Sequence, residues 1–186
     1  MIKKINKFLS ERLKFVILKD YPRHSVRFAK KHFNNKEIVC IEIDTFEGFN
    51  AKIILKELNV KRIYLIDPYE EYSEYIKSEK DKNKEKLSKT EKAAKKRLKK
   101  YSDKILWIKD YSNNAIKKIK EKVDFIYIDG NHEYKYVKEY MNKYWPIVKK
   151  GGIMAGHDIA SFRGVGQALI EFCSKKKIVP YISRTD

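Results

Sequence analysis

Polar side chains that can bind cations, accept hydroxyl hydrogens or move protons recur in this sequence immediately after short apolar runs. Glu42-Ile43-Asp44-Thr45-Phe46-Glu47-Gly48-Phe49-Asn50 follows the first run and Asp67-Pro68-Tyr69 the second. Asp110-Tyr111-Ser112-Asn113 follows the third, Asp129-Gly130-Asn131-His132 the fourth, and His157-Asp158 the fifth. One Asp or Asn in such a place is explained by helix capping. Five successive runs, each ending in an acid or a hydrogen-bonding group, predict a shared site. Carboxylates there suit ribose hydroxyls or a cation, and a histidine titrating near neutrality suits proton transfer.

The runs themselves are short and rich in β-branched residues: Ile38–Ile43, Arg62–Ile66, Ile105–Ile108, Val123–Ile128 and Gly152–Gly156. Such runs read as strands buried on both faces. Helical stretches lie between them at Asn50–Leu58, Asn114–Lys120 and Tyr134–Val148. The alternation predicts an α/β fold, a three-layer sandwich with a mostly parallel sheet whose ligands bind beyond the carboxyl ends of the strands. Upstream, Ile2, Ile5, Leu9, Leu13 and Val16 recur at helical spacing, and a second helical stretch runs from Pro22 to Phe33. One domain is expected, with helices over 1–35 and an α/β core over 36–186. Near its end come a helix over Gln167–Cys173 and a strand-like run, Ile178–Ile182.

With 186 residues, 42% of them hydrophobic and 13% aromatic, the chain has enough apolar mass for one core, which argues against wholesale disorder and a disulfide scaffold. Cys40 and Cys173 have no metal-ligand spacing, and no apolar run reaches membrane-spanning length, so an intracellular, cytoplasmic protein is expected. Forty-three Lys and Arg against 25 acidic residues give a net charge of +18, a field that favours RNA or another anionic polymer as partner. Residues 77–104 hold twelve Lys and one Arg against five acids. With no aromatic interleaving at its centre, that stretch reads first as a solvated helix with a mobile tip near 81–86.

The order E-I-x-x-x-x-G after the first strand, I-D-P after the second, D-F-I-Y-I-D-G-N-H-E-Y at the fourth and K-K-G-G-I-M-A-G-H-D at the fifth resembles the class I S-adenosylmethionine-dependent methyltransferases. The small O-methyltransferase-like branch is the nearest subgroup, and the similarity covers roughly residues 36–173. It implies the Rossmann-like class I topology and methyl transfer to a hydroxyl of a small molecule, a sugar or an anionic polymer. It also implies cofactor contacts from Glu42, Ile43, Asp44, Gly48, Asn50, Asp67, Pro68, Asp110, Tyr111, Ser112 and Asp129. In metal-dependent members of the similar family, positions matching Asp129, His157 and Asp158 hold a divalent ion, Mg2+ or Mn2+ by donor type, and a base lies three residues past the first Asp, at His132. Asp129 and His132 are accordingly the expected catalytic pair. A metal-free alternative has Asp129 at the cofactor and His157-Asp158 as a helix cap.

Two positions depart from the family pattern. Asp44 stands where glycine is usual, in a loop close to the cofactor's methionine end; aspartate tolerates left-handed backbone better than most residues. The chain supplies one strand-like run after Asp158 where the family closes its sheet with a hairpin, predicting a shortened C-terminal hairpin and an open edge that favours a homodimer. A nucleic-acid-binding protein on a degenerate methyltransferase fold is the competing reading, motivated by Asp44 and the basic surplus. Nicotinamide-dependent hydride transfer is disfavoured, because the loop after the first strand holds one glycine where G-x-G-x-x-G is needed. The absence of Asn/Asp-Pro-Pro-aromatic after the fourth strand disfavours methylation of a base amine.

Overall fold

The computed structural model describes residues 22–70, 80–183 and 186, without the side chains of residues 80–84. In chain order the elements are α1 (His24–Phe33), β1 (Ile38–Ile43), α2 (Phe49–Glu57), β2 (Val60–Ile66), α3 (Lys80–Leu98) and β3 (Ile105–Ile108). There follow α4 (Ser112–Ala115), β4 (Val123–Ile128), α5 (Tyr134–Tyr144), β5 (Val148–Gly156) and α6 (Arg163–Lys176). The five strands form one sheet in the order β3-β2-β1-β4-β5, and every pairing is parallel.

Register positions the site. Ile43 pairs with Ile66 on one side and Ile128 on the other, Ile66 pairs with Ile108, and Ile128 pairs with Gly156. The strand ends are therefore level, and the next residue of four strands continues the ladder. Asp44 N–H donates to the Ile66 carbonyl, Asp67 to Ile108, Asp129 to Ile43 and His157 to Ile128. Asp44 thus stands between Asp67 and Asp129, beside the point where the strand order reverses, the usual ligand crevice of such sheets.

The two sides of each strand feed two apolar layers. Val39, Ile41 and Ile43 pack with Ile126 and Ile128 against Ala115 of α4, Val137, Tyr140 and Tyr144 of α5, and Phe172 of α6. Ile38, Cys40, Phe125 and Tyr127 pack against Val26 and Phe33 of α1, Ile54 of α2 and Leu98 of α3. Glu42, by strand alternation, points into this second layer. Asp124 is also buried, and it accepts from Val39 N–H, Lys36 and Lys149, tying β1, β4 and β5 together at their amino ends.

Several expected elements differ. The helix after β3 is one α-turn, Ser112–Ala115, followed by a 3-10 turn over Ile116–Lys118. The helix after β4 ends at Tyr144, because Pro146 lies in a 3-10 turn over Trp145–Ile147. Val148 consequently begins β5, four residues before the expected start at Gly152. Ile178–Ile182 forms no strand, and no C-terminal hairpin occurs among the described residues: Pro180 has no N–H to donate, and Val179 is 95% exposed. The expected helix over Ile2–Val16 and the side chains at 81–84 of the expected mobile tip lie outside the described residues. No helix among the described residues is long and apolar enough to cross a membrane.

Candidate functional site

Beyond β1 and β2 the chain builds an acidic floor. Glu42 is 1% exposed; its Oε1 accepts from Asn50 Nδ2 at 2.9 Å, while its Oε2 has no hydrogen-bond partner. Burial, reinforced by the charges of Asp129 and Asp67, pushes Glu42 up to about 8, although the hydrogen bond from Asn50 pulls the other way. Asp44 has φ 67°, so the left-handed turn that glycine normally supplies is made here by aspartate. Burial and then repulsion from Asp67 hold Asp44 well above the ordinary carboxylate range. Burial also raises Asp67, against the hydrogen bonds that favour its charge.

Asp67 is committed to backbone. Its Oδ2 accepts Phe46 N–H and its Oδ1 accepts Tyr69 N–H, each at 2.7 Å, and the Tyr69 hydroxyl donates to the Phe46 carbonyl at 3.0 Å. Phe46 and Tyr69 both have positive φ, 48° and 49°, so one carboxylate pins two strained loops together. Gly48, at φ 73°, enters α2 beneath α3; a Cβ there would meet Leu98 Cδ1 at 2.9 Å. Arg97 of α3 lies over the Phe49 ring at 3.6 Å and donates to the Glu47 carbonyl, which fixes α3 across this loop.

The loop after β3 closes the other end. Asp110 Oδ1 accepts Tyr111 N–H at 2.8 Å and Asn114 at 3.2 Å, and its Oδ2 pairs with Lys118 at 2.7 Å, which lowers its pKa. The structure thus turns Asp110 toward the turn it starts. Tyr111 reaches Glu70 through its hydroxyl at 3.1 Å, bridging the β3 and β2 loops. Ser112 is buried, and its carbonyl accepts the Tyr144 hydroxyl. Pro68 is buried beside Asp67.

A second group forms where β4 and β5 end. His132 Nε2 lies 3.0 Å from Asp158 Oδ2, which also lies 3.0 Å from His157 Nδ1; His157 Nδ1 is 3.4 Å from Asp129 Oδ1. The His132 ring stacks on Phe162 with centroids 4.0 Å apart. Burial works against charge on His157, but Asp129 and Asp158 outweigh it and its pKa is raised. Donor atoms of Asp129, His132 and Asp158 all lie within 4.8 Å of one another, a separation that one ion could span. His157, an expected ligand, is used differently: its Nε2 pairs with the Arg23 guanidinium, whose Nη2 is 3.9 Å from Asp129 Oδ2. The expected ligand set does not fit an ion as this cluster is built, because a fixed positive charge already sits against two of its three members.

Asp129, His132 and His157 of this group line one wall of a cavity of about 410 Å³ between α1, α5, α6 and β5, whose remaining wall is largely apolar, including Phe28, Met141, Trp145, Leu169 and Phe172. A pocket of that size accepts a small organic molecule.

A family profile described as a methyltransferase domain matches residues 29–159, most of the chain and all five strands. The chain belongs to this methyltransferase family. Its architecture, five parallel strands between helical layers, is the class I S-adenosylmethionine-dependent methyltransferase fold. An O-methyltransferase from Bacillus cereus, solved in complex with SAH, is 15% identical, with 98% of this chain and 90% of that one covered at a TM-score of 0.59. A protein from Clostridium thermocellum proposed to be an rRNA methylase is 16% identical, with 82% of each chain covered at a TM-score of 0.57. An uncharacterized protein of Acanthamoeba polyphaga mimivirus is 27% identical over 146 residues, 78% of this chain; the chain spans 62% of that relative's length.

The sequence did not point to Arg23, Tyr69 or Phe162 as site residues. Arg23 had a usable signal: a basic residue at the start of a helix opposes the helix dipole and needs a separate reason to be there. Tyr69 and Phe162 carried none, since their roles depend on loop conformation.

Proposed function

We propose that this methyltransferase transfers the methyl group of S-adenosylmethionine to a hydroxyl on a small, largely apolar molecule. The observation that carries the proposal is the adjoining of two unlike compartments: an acidic floor at the ends of β1 and β2, and a mostly apolar cavity along β5 and the end of β4, with His132, itself paired to Asp158, in its wall. When bound, S-adenosylmethionine supplies a methyl carbon made electrophilic by its sulfonium charge. The residues present suit it. Glu42 and Asp44 offer carboxylates whose raised pKa values mark an unmet demand for a positive neighbour, and Glu42 Oε2 and the Asn50 carboxamide oxygen are buried polar atoms without partners. Asp67 retains lone pairs beyond its two backbone bonds for ribose hydroxyls.

Within the cavity His132 is the base. With Nε2–H directed to Asp158, proton acceptance falls to Nδ1, and the Phe162 face fixes the ring plane. The acceptor hydroxyl gives its proton to His132 as its oxygen forms the new bond to carbon; the S–C pair returns to sulfur. No step needs a metal ion.

Calorimetric titration of S-adenosylmethionine into the folded wild-type chain and Asp67→Asn tests the cofactor site. Micromolar binding, weakened about tenfold or more in the variant, is expected. No heat with folded wild-type protein would overturn the proposal, and steeply salt-dependent RNA binding in its place would favour the basic face of α3 as the working surface.

A further inference from the structure

Arg23 is placed against expectation. It directly precedes α1, where the helix dipole disfavours a cation, and the anionic partner of that helix end is Asp186, whose Oδ2 accepts both the N–H and the hydroxyl of Ser25 at 2.8 Å. The Arg23 side chain instead turns inward and is only 12% exposed. A guanidinium is charged at every accessible pH, so burying it requires anionic company. That company is the reaction cluster: Nη2 faces Asp129, and Nη1 donates to His157 Nε2.

This last contact bears on the tautomer of the neutral His157 ring. If Nε2 accepts from Arg23, the ring proton is on Nδ1 and points to Asp158 and Asp129. Asp158 Oδ2 then receives one imidazole N–H from His157 and one from His132. A continuous chain runs from the guanidinium through His157 and Asp158 to the ring of the proposed base.

We propose that Arg23 is the resident cation of this site: it balances Asp129 and Asp158 and, through His157, sets the orientation of His132, so that a divalent ion is excluded from carboxylates otherwise close enough to bind one. Arg23 is in this sense a positioning residue, and the role rests on the methyl-transfer reading of the site.

The test is titration of the full chain with MnCl2 alone, followed by the loss of the free-ion electron paramagnetic resonance signal, for wild type, Arg23→Gln, Arg23→Met and Arg23→Lys. Wild type and the Lys variant should bind weakly, and the Gln and Met variants at least about tenfold more tightly, because two carboxylates and an imidazole lose their competitor. Adding Asp158→Asn to either should abolish the gain. A merely structural Arg23 would give no gain in Mn2+ affinity in any folded variant, and that result overturns the proposal. So does micromolar Mn2+ binding by wild type, which needs no variant. S-adenosylmethionine titrated into the same proteins separates the two claims: cofactor binding lost in wild type removes the function, whereas the Mn2+ comparison decides the place of Arg23.

Discussion

Replacing Asp67 with alanine removes the acceptor of two amide hydrogens, Phe46 and Tyr69, each held at 2.7 Å. Hydrogen bonds to a charged group contribute about 1.5–3 kcal/mol each. The carboxylate is 6% exposed, and its raised pKa shows that burial already offsets part of that gain. The net loss should therefore be about 3 kcal/mol, or roughly 6–12 °C in Tm for a chain of this size. Asp67→Asn keeps one acceptor but turns an NH2 toward the other donor, so it should lose about 1–2 kcal/mol. Urea unfolding followed by fluorescence of Trp107 and Trp145 gives both numbers. Hydrogen exchange should show the Phe46 and Tyr69 amides losing protection ahead of the core. An alanine variant within about 0.5 kcal/mol of wild type at unchanged m would refute the assignment of Asp67 as the clamp between the two loops.

Other outcomes are as definite. Glu42 binds its proton more tightly folded than unfolded, so wild-type stability should fall as pH rises from 4.5 toward about 8, by up to about 1.4 kcal/mol per unit, and Glu42→Gln should flatten that slope in a pH series of denaturation curves. The same raised acids predict that S-adenosylmethionine binding releases protons and tightens with pH over that interval, measured as buffer-dependent calorimetric heats. Asp124 shows the opposite sign: burial raises its pKa, but Lys149, Val39 N–H and Lys36 outweigh it, so its contribution is present above pH 3.8 and vanishes as pH falls through its lowered value; Asp124→Asn should lose stability chiefly near neutrality. A Cβ on Gly164 would lie 2.6 Å from the His132 carbonyl and 2.7 Å from Tyr134 N, so Gly164→Ala should displace the β4–α5 loop, lowering stability by about 2 kcal/mol and methyl transfer by more than that alone explains.

The strands were legible because their signal is local: Ile38–Ile43 and Val123–Ile128 are continuous apolar runs, and both are buried along their whole length. That Asp44, Asp67, Asp129 and His157 would share one edge followed from a parallel sheet with level strand ends, a property of the class. What the acids do there was not legible. Asp67 faces two backbone amides and Asp110 a lysine because the loops fold back on their own carboxylates, which spacing does not report. Likewise the histidines could be placed in the site by position, but the pairing of His157 with Arg23, more than a hundred residues away in sequence, could not. Pro180 did offer a local warning against a strand at Ile178–Ile182, and the strong apolar pattern hid it.

The cavity is enclosed by two stretches from opposite ends of the described chain. α1, which precedes the sheet, and residues 178–183 with Asp186, which follow α6, meet over the β5 flank: Phe28 stacks on Tyr181, and Ser25 holds Asp186. On the proposed reading, the ladder of parallel strands fixes where a methyl group is handed over, and this flank decides what is admitted to receive it. Because none of these flank residues belongs to a strand, selection can redraw the entrance while the sheet stays constant, and a library confined to Phe28, Val179, Tyr181 and Ile182 would sample new acceptors without disturbing the donor side.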